Sequence, residues 1–170
     1  MPSGKSEKGM SGCTGVFVSP YDILTAQHCV EGSIGKQWIK RNDGKILSAK
    51  IIAEDKIEDL ALLHVDKPSA YYTHLGEEPF ITDEVFTVNS GESLEKTFGK
   101  GIVANITKID DMDHTPSILS TIVIFHGASG SGLFNSNGDL IGLNVAIFKG
   151  QSIAVDTPVI YNFLHFNHIN

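Results

Sequence analysis

The chain has 170 residues, 20 of them acidic and 13 basic, for a formal net charge of -7. That length suits one domain, or two small half-domains sharing an interface, and buries about two-thirds of the unfolded surface. The acidic balance argues against a nucleic acid or an anionic membrane as main partner, and no apolar run approaches the roughly 20 residues that span a bilayer.

Taken in chain order, residues 1–11 are polar and lack an apolar stretch, so they read as a disordered lead-in rather than a signal peptide or anchor. Short alternating or β-branched runs follow: GVFVS, ILTAQ, QWIK, ILSAKIIAE and LALLHV. The stretch 68–79 has no strand pattern and reads as a linker, dividing a first unit, 12–76, from a second, 77–170. In the second unit come EVFTVN, GIVANITKI, SILSTIVIF, LFNS, LIGLNVAIF and SIAVDT. Asp43-Gly44 and Asn137-Gly138 mark hairpin turns, because these pairs tolerate positive φ. Only PVIYNFLHF reads as a helix, opened by Pro158, with Val159, Phe163 and Phe166 as its apolar stripe.

Three positions carry chemistry. His28 follows the apolar run ILTAQ, Asp59 directly precedes LALL, and Ser129 sits among Gly127, Gly130 and Gly132. Together they supply a base, an acid to orient it and a hydroxyl nucleophile. The glycines allow a sharp turn, and the backbone N–H groups of Gly127 and Ser129 are candidates for an oxyanion hole. A Gly-Ser-Gly cluster alone is more often an ordinary turn, so the weight lies on the three segments together. Ser131 is the rival nucleophile, and Asp55 and Asp66 are rival acids that lack the following LALL run. His64, His74, His114, His126, His165 and His168 lack a matching context, and the spacing of His165 and His168 at a chain end reads as a solvated helix terminus, not a metal pair.

The segments LTAQHC, DLALL and GASGS resemble the base, acid and nucleophile motifs of the chymotrypsin-like (trypsin-fold) serine proteases, over positions 13 to about 160. The resemblance implies an all-β fold of two six-stranded antiparallel Greek-key β-barrels with a short C-terminal helix. It implies a serine endopeptidase acting on protein or peptide through His28, Asp59 and Ser129, with no metal or organic cofactor. It also implies a disulfide between Cys13 and Cys29, the alternative being two reduced, buried thiols. Ala128 stands where zymogen-activated members carry an Asp, so activation by pairing a new N-terminus is not expected.

LIGLNVAIF and SIAVDTP resemble the corresponding strands of HtrA/Deg-type proteases, and with 170 residues ending just after the closing helix no PDZ module is expected in this sequence. In the family Val123 falls at the floor of the specificity pocket, and Asn144 replaces the His of glutamyl endopeptidases. A pocket of Val123, Ile124, Asn144, Val145 and Ala146, with Ile153, suits a small or medium aliphatic side chain and would leave a buried Lys or Arg without a counterion. Two other functions compete. A catalytically silent member would bind peptide by β-augmentation on the LNVAI strand; a serine esterase normally has a parallel sheet and the order Ser, Asp, His, which is not the order here.

Overall fold

The computed structural model describes residues 12–34, 36–91, 94–109 and 116–169. The lead-in 1–11 and His114 lie outside the described residues. Each of the eleven apolar runs becomes a strand: β1 (Val16–Phe17), β2 (Asp22–Thr25), β3 (Lys36–Lys40), β4 (Ile46–Asp55), β5 (Leu60–Val65), β6 (Glu84–Gly91), β7 (Leu94–Thr107), β8 (Ser117–Val123), β9 (Gly132–Phe134), β10 (Leu140–Phe148) and β11 (Gln151–Asp156). Among the described residues one α-helix follows, α1 (Thr157–Phe166), and one 3-10 turn, Gln27–Cys29, leaves β2. No helix among the described residues is long and apolar enough to cross a membrane.

Strands β6 to β11 close into a six-stranded barrel in the order β10-β11-β8-β7-β6-β9. Its interior is packed with Val85, Val103, Ile118, Ile122, Leu133, Ile141 and Ala154. The first half differs from the expected second closed barrel: it is a five-stranded sheet, β1-β2-β5-β4-β3. The apolar runs of this half number only five, and closure was implied by the resemblance alone. Locally, β1 stops after two residues because the chain turns at once, with Val18 N–H donating to Asp22 O (3.0 Å) and the Ser19 hydroxyl to Asp22 Oδ2 (2.6 Å). No further strand pairs with β1 or β3 among the described residues.

The unbroken apolar character of β2 and β5 has a packing cause. Alternate side chains of each strand enter two different cores, so neither strand has a wet face. Leu24, Leu60 and Leu62 meet Leu140, Leu143, Val145, Val155, Ile160 and Leu164 between the two halves. Ile23, Ala61, Leu63 and Val65 point the other way, onto Val30, Leu47 and Ala49. Full burial of each such Leu or Ile contributes roughly 1.5–3 kcal/mol, so the interface that positions the site is itself a hydrophobic core.

Gly44 and Gly138 adopt φ of 81° and 84° at the two hairpin turns. The segment 68–79 contains no strand but is fastened to the barrel, with Leu140 N–H donating to His74 O and Gly76 N–H to Leu140 O, each 2.8 Å. In α1 the Asp156 carboxylate accepts from Thr157 N–H (2.7 Å) and Pro158 occupies the first turn. Ile160 and Leu164 are its buried apolar residues, flanked by the partly buried Val159 and Phe163. Phe166 is 83% exposed and not part of the stripe, since 100° per residue carries it well away from the face that holds Ile160 and Leu164.

Candidate active site

The candidate base, His28, is presented by a short irregular step. Ala26 is extended, and the Gln27–Cys29 turn then closes through Cys29 N–H to Ala26 O (3.2 Å) and Val30 N–H to Gln27 O (2.9 Å). This lifts His28 off the buried strand β2, leaving its side chain 44% exposed. Asp59 enters β5 with φ of 54°, a left-handed backbone that Asp tolerates better than most residues. Its acceptors all go to the turn bearing the base: Asp59 Oδ1 accepts from His28 N–H (2.8 Å), Oδ2 pairs with His28 Nδ1 (2.7 Å), and the Asp59 carbonyl accepts from Gln27 N–H (3.1 Å). Asp59 thus orients both the ring and the loop that carries it.

The hydrogen bond that Asp59 accepts is the main reason the His28 pKa is raised above its ordinary value; partial burial opposes it, and the charges of Asp59 and Glu31 add to it. The rival Asp55 serves otherwise, its Oδ1 capping a turn through Ile57 N–H (2.9 Å) and Glu58 N–H (3.0 Å). His64, which has no visible partner in the sequence, finds one in the fold. Across the β2–β5 ladder its Nδ1 lies 2.8 Å from Asp22 Oδ1, with Tyr21 stacked on the ring at 5.9 Å. The nearby Ser19 hydroxyl is committed to Asp22 itself, so this cluster ties the β1–β2 turn to β5.

Ser129 lies between β8 and β9 in a loop tied to both halves. Ala128 N–H donates to Phe125 O (3.0 Å), Gly130 N–H to Asn144 O (2.7 Å) and Ser131 N–H to Ala128 O (2.9 Å). Among the described residues the N–H groups of Gly127 and Ser129 have no partner, so two donors remain on the side of Ser129. Gly127 and Gly130 take φ of 97° and 82°. Gly130 also has no room for a side chain: a Cβ would stand 2.1 Å from the Thr14 carbonyl and 2.3 Å from Thr25 Oγ1. Backbone packs on backbone here, and any larger residue would push Ser129 away from the first half. Ser131 is fully buried, its hydroxyl accepting from Asn144 Nδ2 (2.9 Å), whereas Ser129 is partly exposed.

The loop that carries Ser129 meets the leading strand and the disulfide sulfur beside His28. Thr14 N–H donates to Ser129 O (2.8 Å), and Cys29 Sγ, one residue beyond His28, lies 3.9 Å from the same oxygen. Cys13 and Cys29 are joined in a disulfide, which ties the strand entering the site to the residue after the base. By chain entropy such a loop contributes roughly 3 kcal/mol. The Ser129 hydroxyl and the His28 ring share no hydrogen bond; such bonds are often long in free enzymes and tighten on substrate binding. Cys13, His28 and Cys29 form a cluster of potential metal donors, but its sulfurs are tied up in the disulfide and offer no thiolate.

The expected pocket residues are scattered. Val123 is 59% exposed at the end of β8, paired with Gln151, and is no buried floor. Ile124 is packed in the barrel core and Val145 between the halves, while Ala146 is half-buried. Asn144 is fully buried beneath the nucleophile loop, donating to Ser131 and to Thr87 Oγ1 (3.1 Å), with its Oδ1 unpartnered. The apolar groups that do stay exposed at this end are Phe125, Ile147 and Phe148, which alternation alone did not single out because strand ends lie beyond the core pattern. Thr14 and Thr25, whose polar groups hold the loop, were likewise missed, although both stand inside the motifs CTG and LTA.

Comparison with known proteins agrees with this architecture. A family model described as the trypsin-like peptidase domain matches residues 13–143. A probable periplasmic serine endoprotease, DegP-like, of Halomonas elongata is 32% identical over 166 residues, covering 92% of this chain and 35% of that protein. A probable periplasmic serine protease, do/HhoA-like, of Haemophilus influenzae is 31% identical over 159 residues, covering 86% of this chain and 33% of the relative. The chain therefore spans about a third of the length of these two relatives. Among solved structures, the HtrA-type protease AlgW with decapeptide superposes with a TM-score of 0.81 at 23% identity, over 90% of this chain and 50% of the other, a likeness of fold. With the family model spanning most of its length, the chain belongs to the trypsin-like peptidase domain family.

Proposed function

We propose that this chain is a serine endopeptidase domain that cleaves peptide bonds through an acyl-enzyme, with its site between units 12–76 and 77–170. The observation that carries the reading is a His–Asp pair set beside a loop whose serine is accessible and whose two flanking N–H groups are unpartnered. With Nδ1 held by Asp59, the other nitrogen of His28 is the one free to take the Ser129 proton as Oγ attacks the carbonyl. The proton then passes to the departing amine, and water releases the acyl group by the same route in reverse. The N–H groups of Gly127 and Ser129 would stabilise the tetrahedral oxyanion, each contributing about 3–4 kcal/mol in comparable sites. Nothing in this sequence of steps calls for a metal or an organic cofactor.

A peptide has a place to lie. Strand β10 pairs with β9 only through Leu143, while its pairing with β11 runs on to Phe148. Beyond Asn144 its far edge is open, and an extended substrate can add there as a strand. Ala146, Ile147, Phe148, Val123 and Phe125 make the surroundings apolar, which supports small or medium aliphatic side chains before the scissile bond. Burying one contributes roughly 1.5–3 kcal/mol, and an unpaired charge would cost more.

The test is a fluorophosphonate probe, which should label Ser129 covalently, followed by a peptide library, which should show cleavage after Val, Ile, Ala or Leu ahead of Arg, Lys, Asp or Glu. Peptide binding without labelling would establish a silent binding module instead. A separate expectation concerns pH. Only the neutral imidazole accepts a proton, and its pKa is raised in the fold, so kcat/KM should climb through a limb lying above the ordinary histidine value of about 6.5. A limb below that value would show that Asp59 does not act on His28 in solution.

A further inference from the structure

Thr14 stands between Cys13, which forms the disulfide, and Gly15, and its hydroxyl and its backbone N–H both reach the loop that carries Ser129. Its hydroxyl donates to the Gly127 carbonyl (2.9 Å) and accepts from Ser90 N–H (3.2 Å). The Ser90 carbonyl, at 3.3 Å, is the poorer alternative acceptor for that single proton. Its backbone N–H donates to Ser129 O (2.8 Å), and its own carbonyl accepts from Thr25 Oγ1 (2.7 Å). One residue of the first half therefore grips the carbonyls on both sides of the Ala128–Ser129 peptide.

This grip has a directional consequence. The peptide joining Gly127 to Ala128 is fixed at both ends, its oxygen by Thr14 and its N–H by Phe125 O (3.0 Å). Gly127 has no side chain to resist rotation, and its φ of 97° lies in a region that glycine enters and leaves easily. Without the Thr14 hydroxyl, only the Ala128 N–H bond to Phe125 O would restrain that peptide, and its tilt, which bears on the two N–H groups left unpartnered beside Ser129, would be less fixed.

We propose that Thr14 is the positioning residue of the oxyanion pocket: its hydroxyl, anchored by the Cys13–Cys29 bridge and Ser90, holds the Gly127 and Ser129 N–H groups on the reacting carbonyl. The inference rests on Ser129 as nucleophile. Thr14 touches neither substrate nor reacting atoms, so its effect belongs in kcat and in affinity for tetrahedral adducts, not in KM.

The experiment compares wild type, Thr14→Val and Thr14→Ser by kcat and KM on one peptide amide, normalised by active-site titration, and by the Ki of the matching peptide aldehyde. Thr14→Val keeps the shape and the backbone N–H bond but deletes the hydroxyl. It should lower kcat roughly ten- to a hundredfold, as small misplacements of catalytic groups do, weaken the aldehyde by a similar factor and leave KM within about twofold. Thr14→Ser should restore both. If Thr14→Val does not fold, Thr14→Ala, which overfills nothing, carries the same comparison. Wild-type kcat and aldehyde affinity in the hydroxyl-free variant overturn the proposal, as does a Thr14→Ser variant equally impaired, which would assign the effect to the methyl group. A wild-type protein without peptidase activity overturns the reading of Ser129 and this inference together; an active one with an indifferent Thr14 overturns only the latter.

Discussion

Ser129→Ala is expected to abolish peptide hydrolysis while leaving the fold intact. Among the described residues the Ser129 side chain has no hydrogen-bond partner, and the residue is partly exposed, so the substitution removes a hydroxyl without opening a cavity or orphaning a described partner. Loop geometry is carried by the backbone bonds from Thr14 N–H and to Asn144 O, which alanine retains. The fall in kcat should be on the order of 10⁶, with a residue of about 10³–10⁴ over water from the oxyanion donors and binding alone. Thermal melting should stay within about 0.5 kcal/mol of wild type. The measurement that decides is residual turnover together with loss of fluorophosphonate labelling. Normal turnover in Ser129→Ala, with loss in Ser131→Ala, would move the nucleophile to Ser131. That outcome would require the buried Ser131 hydroxyl to leave Asn144 and come to the surface.

Asp59→Asn should lower kcat by about 10⁴ with little change in KM. The substitution is close to a pure test of charge and tautomer, because Asn accepts a left-handed backbone as readily as Asp and the φ of 54° can persist. An amide can still accept from His28 N–H through its oxygen, but its NH2 then faces Nδ1. The ring is driven to carry its proton on the other nitrogen, where it cannot take one from Ser129. Loss of the carboxylate also removes the main cause of the raised His28 pKa, so the rising limb of the pH profile should move down toward the ordinary histidine range. Steady-state kinetics across pH check both points. Wild-type behaviour in Asp59→Asn combined with loss in Asp55→Asn would reassign the acid, against the engagement of Asp55 with its own turn.

The two variants separate the parts of the site that are local from those that are not. Asp59 meets the base across the β2–β5 ladder within the first half, whereas Ser129 depends on packing of the first half against the barrel. Mutations in the shared core, at Leu62 or Leu143 for instance, therefore act on both stability and catalysis. The disulfide and Thr14 lie on the seam and bias the same arrangement from the chain's leading strand.

What the amino-acid order determined by itself is the strand inventory and the candidates for the reacting groups. Every alternating or β-branched run became a strand, because side-chain alternation and turn chemistry at Gly44 and Gly138 are local properties of the chain. His28, Asp59 and Ser129 stand out as candidates for a related reason: their flanking residues, an apolar strand or a glycine turn, belong to the same short segments. Tertiary structure alone decided the rest. Whether a set of strands closes depends on edge pairing between distant segments, and among the described residues the first half pairs five strands into a sheet. Exposure of Val123 and Phe166, burial of Ser131 and the pairing of His64 with Asp22 follow from which surfaces meet, not from periodicity. The hydrogen bond from Thr14 to Gly127 joins residues 113 positions apart, and no local pattern encodes a contact that exists only once the two halves have packed.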